Sequence, residues 1–283
     1  ALSSNVHYRG EQEPTFSYSV GVDLKNASAL WVSVPVRLQS LNGHVVLTNE
    51  LISAPSVGGR AAMGWFNASV VADLDPAHGN VHYRGWVELR RADLKSLLEE
   101  LGEPGGDVQG RLSGLVEIEC RHGEQEKLTG TGKLELTDGS LWSTPFFMHL
   151  VELLHLTIPG TGGTFDTGEA RFELDDRQVN VKSFRVTSTA LELEGYGEIS
   201  LPGGELDLSM VAATPSEGGL PFVGKYLRAI IRPVERELVK LHVTGTLRQP
   251  KFEHKVLGPV TRPITSLFEL LVSPFGGSSQ EGE

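Results

Sequence analysis

Between Ala170 and Ala212 apolar side chains fall on every second residue, a period that suits a strand and not a helix. Phe172 and Leu174 mark one strand, Val179 and Val181 the next. The parity then slips, because Phe184 and Val186 are even-numbered, and a slip of one inside a continuous run predicts a β-bulge near Lys182-Ser183. Leu191, Leu193, Gly195, Gly197, Ile199 and Leu201 resume odd parity, Pro202-Gly203-Gly204 predicts a turn, and Leu206, Leu208, Met210 and Ala212 return. Glu192, Glu194, Glu198, Glu205 and Asp207 occupy the other parity. An antiparallel meander with one apolar face and one acidic, wet face is expected.

The same alternation governs most of the chain before it. Phe16 to Leu24 and Leu30 to Val36 keep one parity, and further strands are predicted at Gly43 to Leu47 and Met63 to Leu74, with a break at Gly58-Gly59. Strands follow at Leu112 to Cys120 and Leu128 to Leu136. Leu134 and Leu136 alternate with Lys133, Glu135 and Thr137, and Asp138-Gly139 predicts a hairpin turn because Gly tolerates positive φ. With 33 glycines in 283 residues, many turns, bulges or close backbone approaches are implied.

Helical periodicity is confined to a few segments. Leu94, Leu97, Leu98 and Leu101 predict a helix over Arg91 to Leu101, stopped by Pro104 and a Gly pair. Phe146, Phe147, Leu150, Val151 and Leu154 predict another over Pro145 to Ile158. Between Leu220 and Lys240, Val223, Leu227, Ile230, Val234 and Leu238 form an apolar stripe beside the basic residues Lys225, Arg228, Arg232, Arg236 and Lys240. That pattern predicts an amphipathic helix kinked at Pro233, its basic stripe serving either as a plain solvent face or as a surface for anionic headgroups. Val256 to Val272 is apolar but broken by Pro259 and Pro263. Residues 1–273 read as a single elongated domain and 274–283 as a disordered polar tail. The hexapeptide Asn-Val-His-Tyr-Arg-Gly, at Asn5 to Gly10 and again at Asn80 to Gly85, suggests repeat units around 1–79 and 80–273.

Composition removes several function classes. A net charge of -11 argues against nucleic acid as a partner, since such a protein carries a basic face or stripe. One cysteine, Cys120, provides neither an internal disulfide nor a CxxC metal knuckle. No apolar run approaches the roughly 18 residues of a membrane span, and no signal sequence opens the chain, which begins with Ala1. The chain is therefore read as a fragment whose targeting segment has been left off.

Asp73, Asp75, His78 and His82 are of the types that ligate divalent ions, yet Pro76 and Gly79 among them read as a polar hairpin. His149, Glu152 and His155 lack the HExxH spacing, and Gly160-Thr-Gly-Gly-Thr164 lacks the Lys of a phosphate loop. Solvated carboxylates on alternating strand positions have neither the burial nor the close like charge that tunes a general acid. No enzyme activity, cofactor or metal is expected.

Several stretches together carry a resemblance. Gly130 to Leu141 with its following helix, the Phe165 to Leu174 strand, Leu193-Glu-Gly-Tyr-Gly-Glu-Ile-Ser-Leu201, Gly204-Glu-Leu-Asp-Leu208 and Val243-Thr-Gly-Thr-Leu-Arg-Gln-Pro250 keep an order and spacing similar to the C-terminal region of the AsmA-like proteins of the Gram-negative cell envelope. The resemblance covers roughly Gly64 to Pro250. It implies a repeating β-groove, a long twisted antiparallel sheet curled so that its apolar face lines a channel for phospholipid acyl chains. It also implies a periplasmic location, with an N-terminal anchor in the inner membrane, and a part in moving phospholipid towards the outer membrane. About fifteen strands at roughly 4.8 Å spacing would extend about 70 Å. The groove lining is expected to include Leu134, Leu136, Phe172, Leu174, Leu191, Leu193, Ile199, Leu206 and Leu208. Expected partners are phospholipid acyl chains, a membrane surface and other envelope proteins. Two rival readings are an envelope assembly protein whose apolar face is closed by its own helices, and a β-helical carbohydrate-active enzyme.

Overall fold

In a computed structural model of the protein, consecutive strands pair in the order in which the chain makes them, and all the pairings are antiparallel. The structure describes residues 2–9, 15–30, 36–75, 77–102, 108–122, 127–140, 149–150, 152–153, 165–188, 192–201, 203–215, 236–246 and 249–256. The strands are β1 (Leu2–Arg9), β2 (Thr15–Leu30), β3 (Arg37–Thr48), β4 (Leu51–Ala61), β5 (Gly64–Asp75), β6 (Asn80–Asp93), β7 (Gln109–His122), β8 (Lys127–Ser140), β9 (Phe165–Asp175), β10 (Gln178–Ser188), β11 (Glu192–Ser200), β12 (Glu205–Pro215), β13 (Arg236–Thr246) and β14 (Pro250–Val256). They form one 14-stranded sheet, and β1 and β14 are its two open edges. At roughly 4.8 Å per strand the sheet is about 62 Å across.

One complete helix is present among the described residues, α1 (Leu94–Glu100), with further helical residues at 149–150 and 152–153. The helix predicted over Arg91 to Leu101 begins at Leu94, where its leucine spacing begins, and not at Arg91. Asp93 caps it, accepting the Ser96 N–H at 2.9 Å, and Arg91 still belongs to β6.

The two ends of the sheet are built differently. At one end the strands are joined by turns of two to five residues, as between β3 and β4 or β9 and β10. The other end carries the long connections, those that leave β6, β8 and β12. Positive-φ bulges lie at that same end: Asn26, Ser40, Arg91 and Asp138 all sit where strand register shifts.

Four expectations are corrected or sharpened. Asp138-Gly139 does not turn the chain back; β8 runs through it to Ser140, and Asp138, at φ +53, is the extra residue of a bulge opposite Gln109 and Arg111. An αL-tolerant pair serves a bulge as well as a turn, so the dipeptide alone did not distinguish them. Gly58-Gly59 likewise lies inside β4, and the turn falls at Ala62-Met63. The parity slip of β10 is a true bulge, with register shifting between Val181 and Phe184 against β11 and between Val181 and Ser183 against β9. Arg236 and Lys240 belong to β13 and not to a helix. Val239, Leu241 and Val243 alternate there and pair with Ala212, Met210 and Leu208 of β12, so eleven residues of sheet pairing outweigh a short run of helical spacing. The rest of the predicted C-terminal helix, with Lys225, Arg228 and Arg232, and the tail 274–283 lie outside the described residues.

Strand glycines make room for large neighbours. A Cβ at Gly132 would overlap the ring of Phe172, its cross-strand partner, and one at Gly195 would lie 2.6 Å from the ring of Phe184. Gly132→Val is expected to destabilise the protein by about 2 kcal/mol through overpacking, and by clearly less in a Phe172→Ala background. Urea unfolding of the four proteins measures the coupling; additive effects would contradict the ring-over-glycine contact. The β4–β5 turn holds Ala62 at φ +43 and Met63 at φ +62, which costs L-residues roughly 1 kcal/mol each. Met63→Gly is expected to raise unfolding stability by about that amount.

Candidate functional site

Because cross-strand partners share a face, register turns the alternating residues into rows that run the width of the sheet. One row runs from Leu24 through Val57, Val87, Val116, Phe172 and Leu208 to Phe252. Leu134 lies in a row that reaches Met210 and Leu241, Leu136 in one that reaches Leu193, and Leu174 in one that reaches Ile199 and Leu206. Eight of the nine sequence-predicted lining residues thus stand on one face; the ninth, Leu191, lies outside the described residues. Val87, Val116 and Ile118 occupy the same face, and the parity of Leu112 to Cys120 already pointed to the last two.

Burial divides that face in two. Leu193, Leu206 and Leu208 are 1%, 5% and 7% exposed, in a closed cluster with Met210, Leu241 and Val243. Helical Leu150, 0% exposed, belongs to this cluster, and Leu153 packs against it. Over β4 to β10 the same rows are mostly half-buried: Leu134, Leu136, Phe172 and Leu174 all retain some exposure, as do Val87, Val116 and Ile118.

The opposite face is polar and holds an open recess of about 760 Å³ spanning β5 to β10. Arg84, Trp86, Glu117, Glu119, Thr131 and Glu173 are among its lining residues. Val71, Ile118 and Leu174 also line it, so charged and hydroxyl groups stand there beside apolar ones. One expected wet carboxylate is in fact buried: Glu194 is 4% exposed, bonded to Arg185 on the neighbouring strand. Val211 and Ala213, on the same face, are buried as well, so the end of β11 and β12 is covered on both sides.

Asp73, Asp75, His78 and His82 form the β5–β6 hairpin and its flanks, and no three such side chains are grouped to hold a metal ion among the described residues. His78 Nδ1 is 2.8 Å from Asp75 Oδ2, whereas His82 Nε2 reaches across to Glu119 Oε1 at 2.8 Å. His149 and Glu152 are exposed on the helical residues, and His155 and the Gly160–Thr164 loop lie outside the described residues. Cys120 is buried on the apolar face beside Leu128 and Tyr83.

The hydrogen bond from His82 is the main cause that holds the Glu119 carboxyl below the usual carboxylate range, and His44 does the same for Asp23. A lowered folded pKa contributes stability above the unfolded pKa and loses it as pH falls through the folded value. The stability these two carboxylates contribute therefore fades as pH falls below about 4. His82→Ala is expected to raise the Glu119 titration midpoint back towards the ordinary range, as read by carbon NMR of the carboxyl; an unmoved midpoint would sink the assignment.

Comparison with family models, with curated proteins and with solved structures finds no match to this chain.

Proposed function

We propose that the chain is a non-catalytic lipid-binding module of the bacterial cell envelope, acting in phospholipid transfer or outer-membrane maintenance in the manner of the AsmA-like proteins it resembles. The observation that carries this reading is the half-exposed apolar face over β4 to β10, continuous across seven consecutive strands. Six strand spacings make it roughly 29 Å wide. One acyl chain reaches about 15 Å, half of the ~30 Å hydrocarbon core of a bilayer. An acyl chain laid along the Val57–Phe172 row would find apolar contact along its whole length, each methylene removed from water contributing on the order of 0.8 kcal/mol. The same analogy puts the module in the periplasm, anchored to the inner membrane by a segment outside this sequence. The basic residues Lys225, Arg228 and Arg232 would then supply positive charge for anionic headgroups.

A second reading has its own observation. Leu150 closes the face over β11 to β14, and an envelope assembly protein with a closed core would extend that closure to the rest. Photo-crosslinkers at Phe172 and Leu174 separate the two, with Met210 in the closed cluster as the control. Phospholipid adducts at Phe172 and Leu174 but not at Met210 are expected of the carrier. Adducts only to the protein's own segments, or to a partner protein, would remove it. Leu134→Asp combined with Leu174→Asp is expected to cut co-purifying phospholipid roughly tenfold.

A further inference from the structure

The three most exposed large hydrophobic side chains among the described residues, Met63 (65%), Trp65 (61%) and Leu30 (60%), belong to the end of the sheet that carries the long connections, as does Leu101 (40%). Leu201 (42%) and Leu115 (41%) are exposed to a similar degree but stand apart from them. Two contacts link the segments that carry Met63, Leu30 and Leu101. Ser96 of α1 donates its hydroxyl to Met63 Sδ at 3.4 Å, and the Arg37 N–H donates to Glu100 Oε2 at 2.9 Å. Leu30 is the strand partner of Arg37, and Leu101 follows Glu100 directly.

The turn that presents Met63 is unusual in composition. Positive φ at both central residues is the geometry that Asn-Gly fills without strain. Here Ala62 and Met63 fill it, and the Ala62 carbonyl is pinned by the Asp93 N–H at 2.8 Å. A strained turn that holds a bulky thioether out in solvent marks a position where the side chain matters more than local stability. Beside it the Arg60 guanidinium lies 5.4 Å from the centroid of the Trp65 ring.

Charge distinguishes the patch from the rest of an acidic chain. Arg37, Arg60, Arg91 and Lys95 surround it, and among the described residues none of the four forms a side-chain ion pair. Arg90 is held by Glu88, and Asp93 by the α1 cap and by Arg111. The carboxylates close by are Glu99 and Glu100, the latter accepting from the Arg37 N–H, in a chain whose net charge is -11. Apolar tips with an aromatic ring, on the same end of the sheet as guanidinium and ammonium groups that form no ion pair among the described residues, match the layered chemistry of a bilayer surface, where phosphates lie just outside the acyl region.

We propose that this end of the sheet docks on an anionic phospholipid bilayer. Met63, Trp65, Leu30 and Leu101 enter the headgroup layer, and Arg37, Arg60, Arg91 and Lys95 meet lipid phosphates. Docking needs no lipid on the apolar rows, so it stands or falls separately from the carrier reading. Co-sedimentation of the full chain with phosphatidylcholine vesicles, with and without phosphatidylglycerol, tests it. The wild type is expected to pellet with the anionic vesicles, to do so weakly with the neutral ones, and to be released by salt. Met63→Gly with Trp65→Ser is expected to weaken pelleting at least roughly tenfold. Because Met63→Gly relieves backbone strain, a thermal melt distinguishes lost docking from lost fold. Arg60→Gln with Arg91→Gln, which leaves the apolar tips in place, is expected to abolish the preference for anionic vesicles. Undiminished pelleting of both variants, or a wild type that ignores anionic vesicles, overturns the proposal. Lipid adducts at Leu174 in these same variants report on the carrier reading alone.

Discussion

Backbone pairing between neighbours in sequence is the interaction on which everything else in this molecule depends. Each strand between the two edges spends its amide and carbonyl groups on the strand before it and the strand after it, so one sheet grows sideways. Such a sheet has two faces, and among the described residues no second sheet buries either of them. Parity then decides what each face is made of: Val, Leu and Phe on one, Glu, Arg, Lys and Thr on the other. A single layer with an apolar side must find cover, and among the described residues Leu150 and Leu153 join the cluster over β11 to β14. The lipid reading begins where that cover ends.

Glycine is what allows rows of large side chains to be shared so closely. Where Phe172 meets Gly132 and Phe184 meets Gly195, a ring from one strand occupies the space that its partner leaves empty. The packing that a second sheet would normally supply is achieved partly within one face. That economy accounts for some of the high glycine content, and it makes those glycines packing positions rather than hinges.

Legibility in the sequence followed the strength of the local signal. Alternation survives any register, so the mainly β, antiparallel meander and the shared face of Leu134, Phe172, Leu174 and Leu208 could be read directly. The bulge in β10 could also be read, because adding one residue reverses parity and leaves a visible mark. Asp138-Gly139 misled because a left-handed residue serves turn and bulge alike, and only the partner strand tells them apart. Arg236 to Lys240 misled because apolar spacing over five residues fits a helix or a strand, and β12 made the choice. Which parts of the apolar face are covered could not be read at all, since parity says where a side chain points and nothing about what lies above it. The exposed Met63 escaped for a related reason: a turn without Asn or Gly carries no turn signal.

The difference between the two ends of the sheet has a consequence for how such a chain can be lengthened or shortened. Each strand reverses the direction of travel, so long connections stay together only while strands are gained or lost in pairs. Removing one hairpin would leave every later residue on its present end; removing one strand would send all later long connections to the opposite end. The patch around Met63, the bulges and the segment that covers β11 to β14 would then be parted. A meander of this kind is therefore held to even-numbered change, with the hairpin rather than the strand as its unit of inheritance.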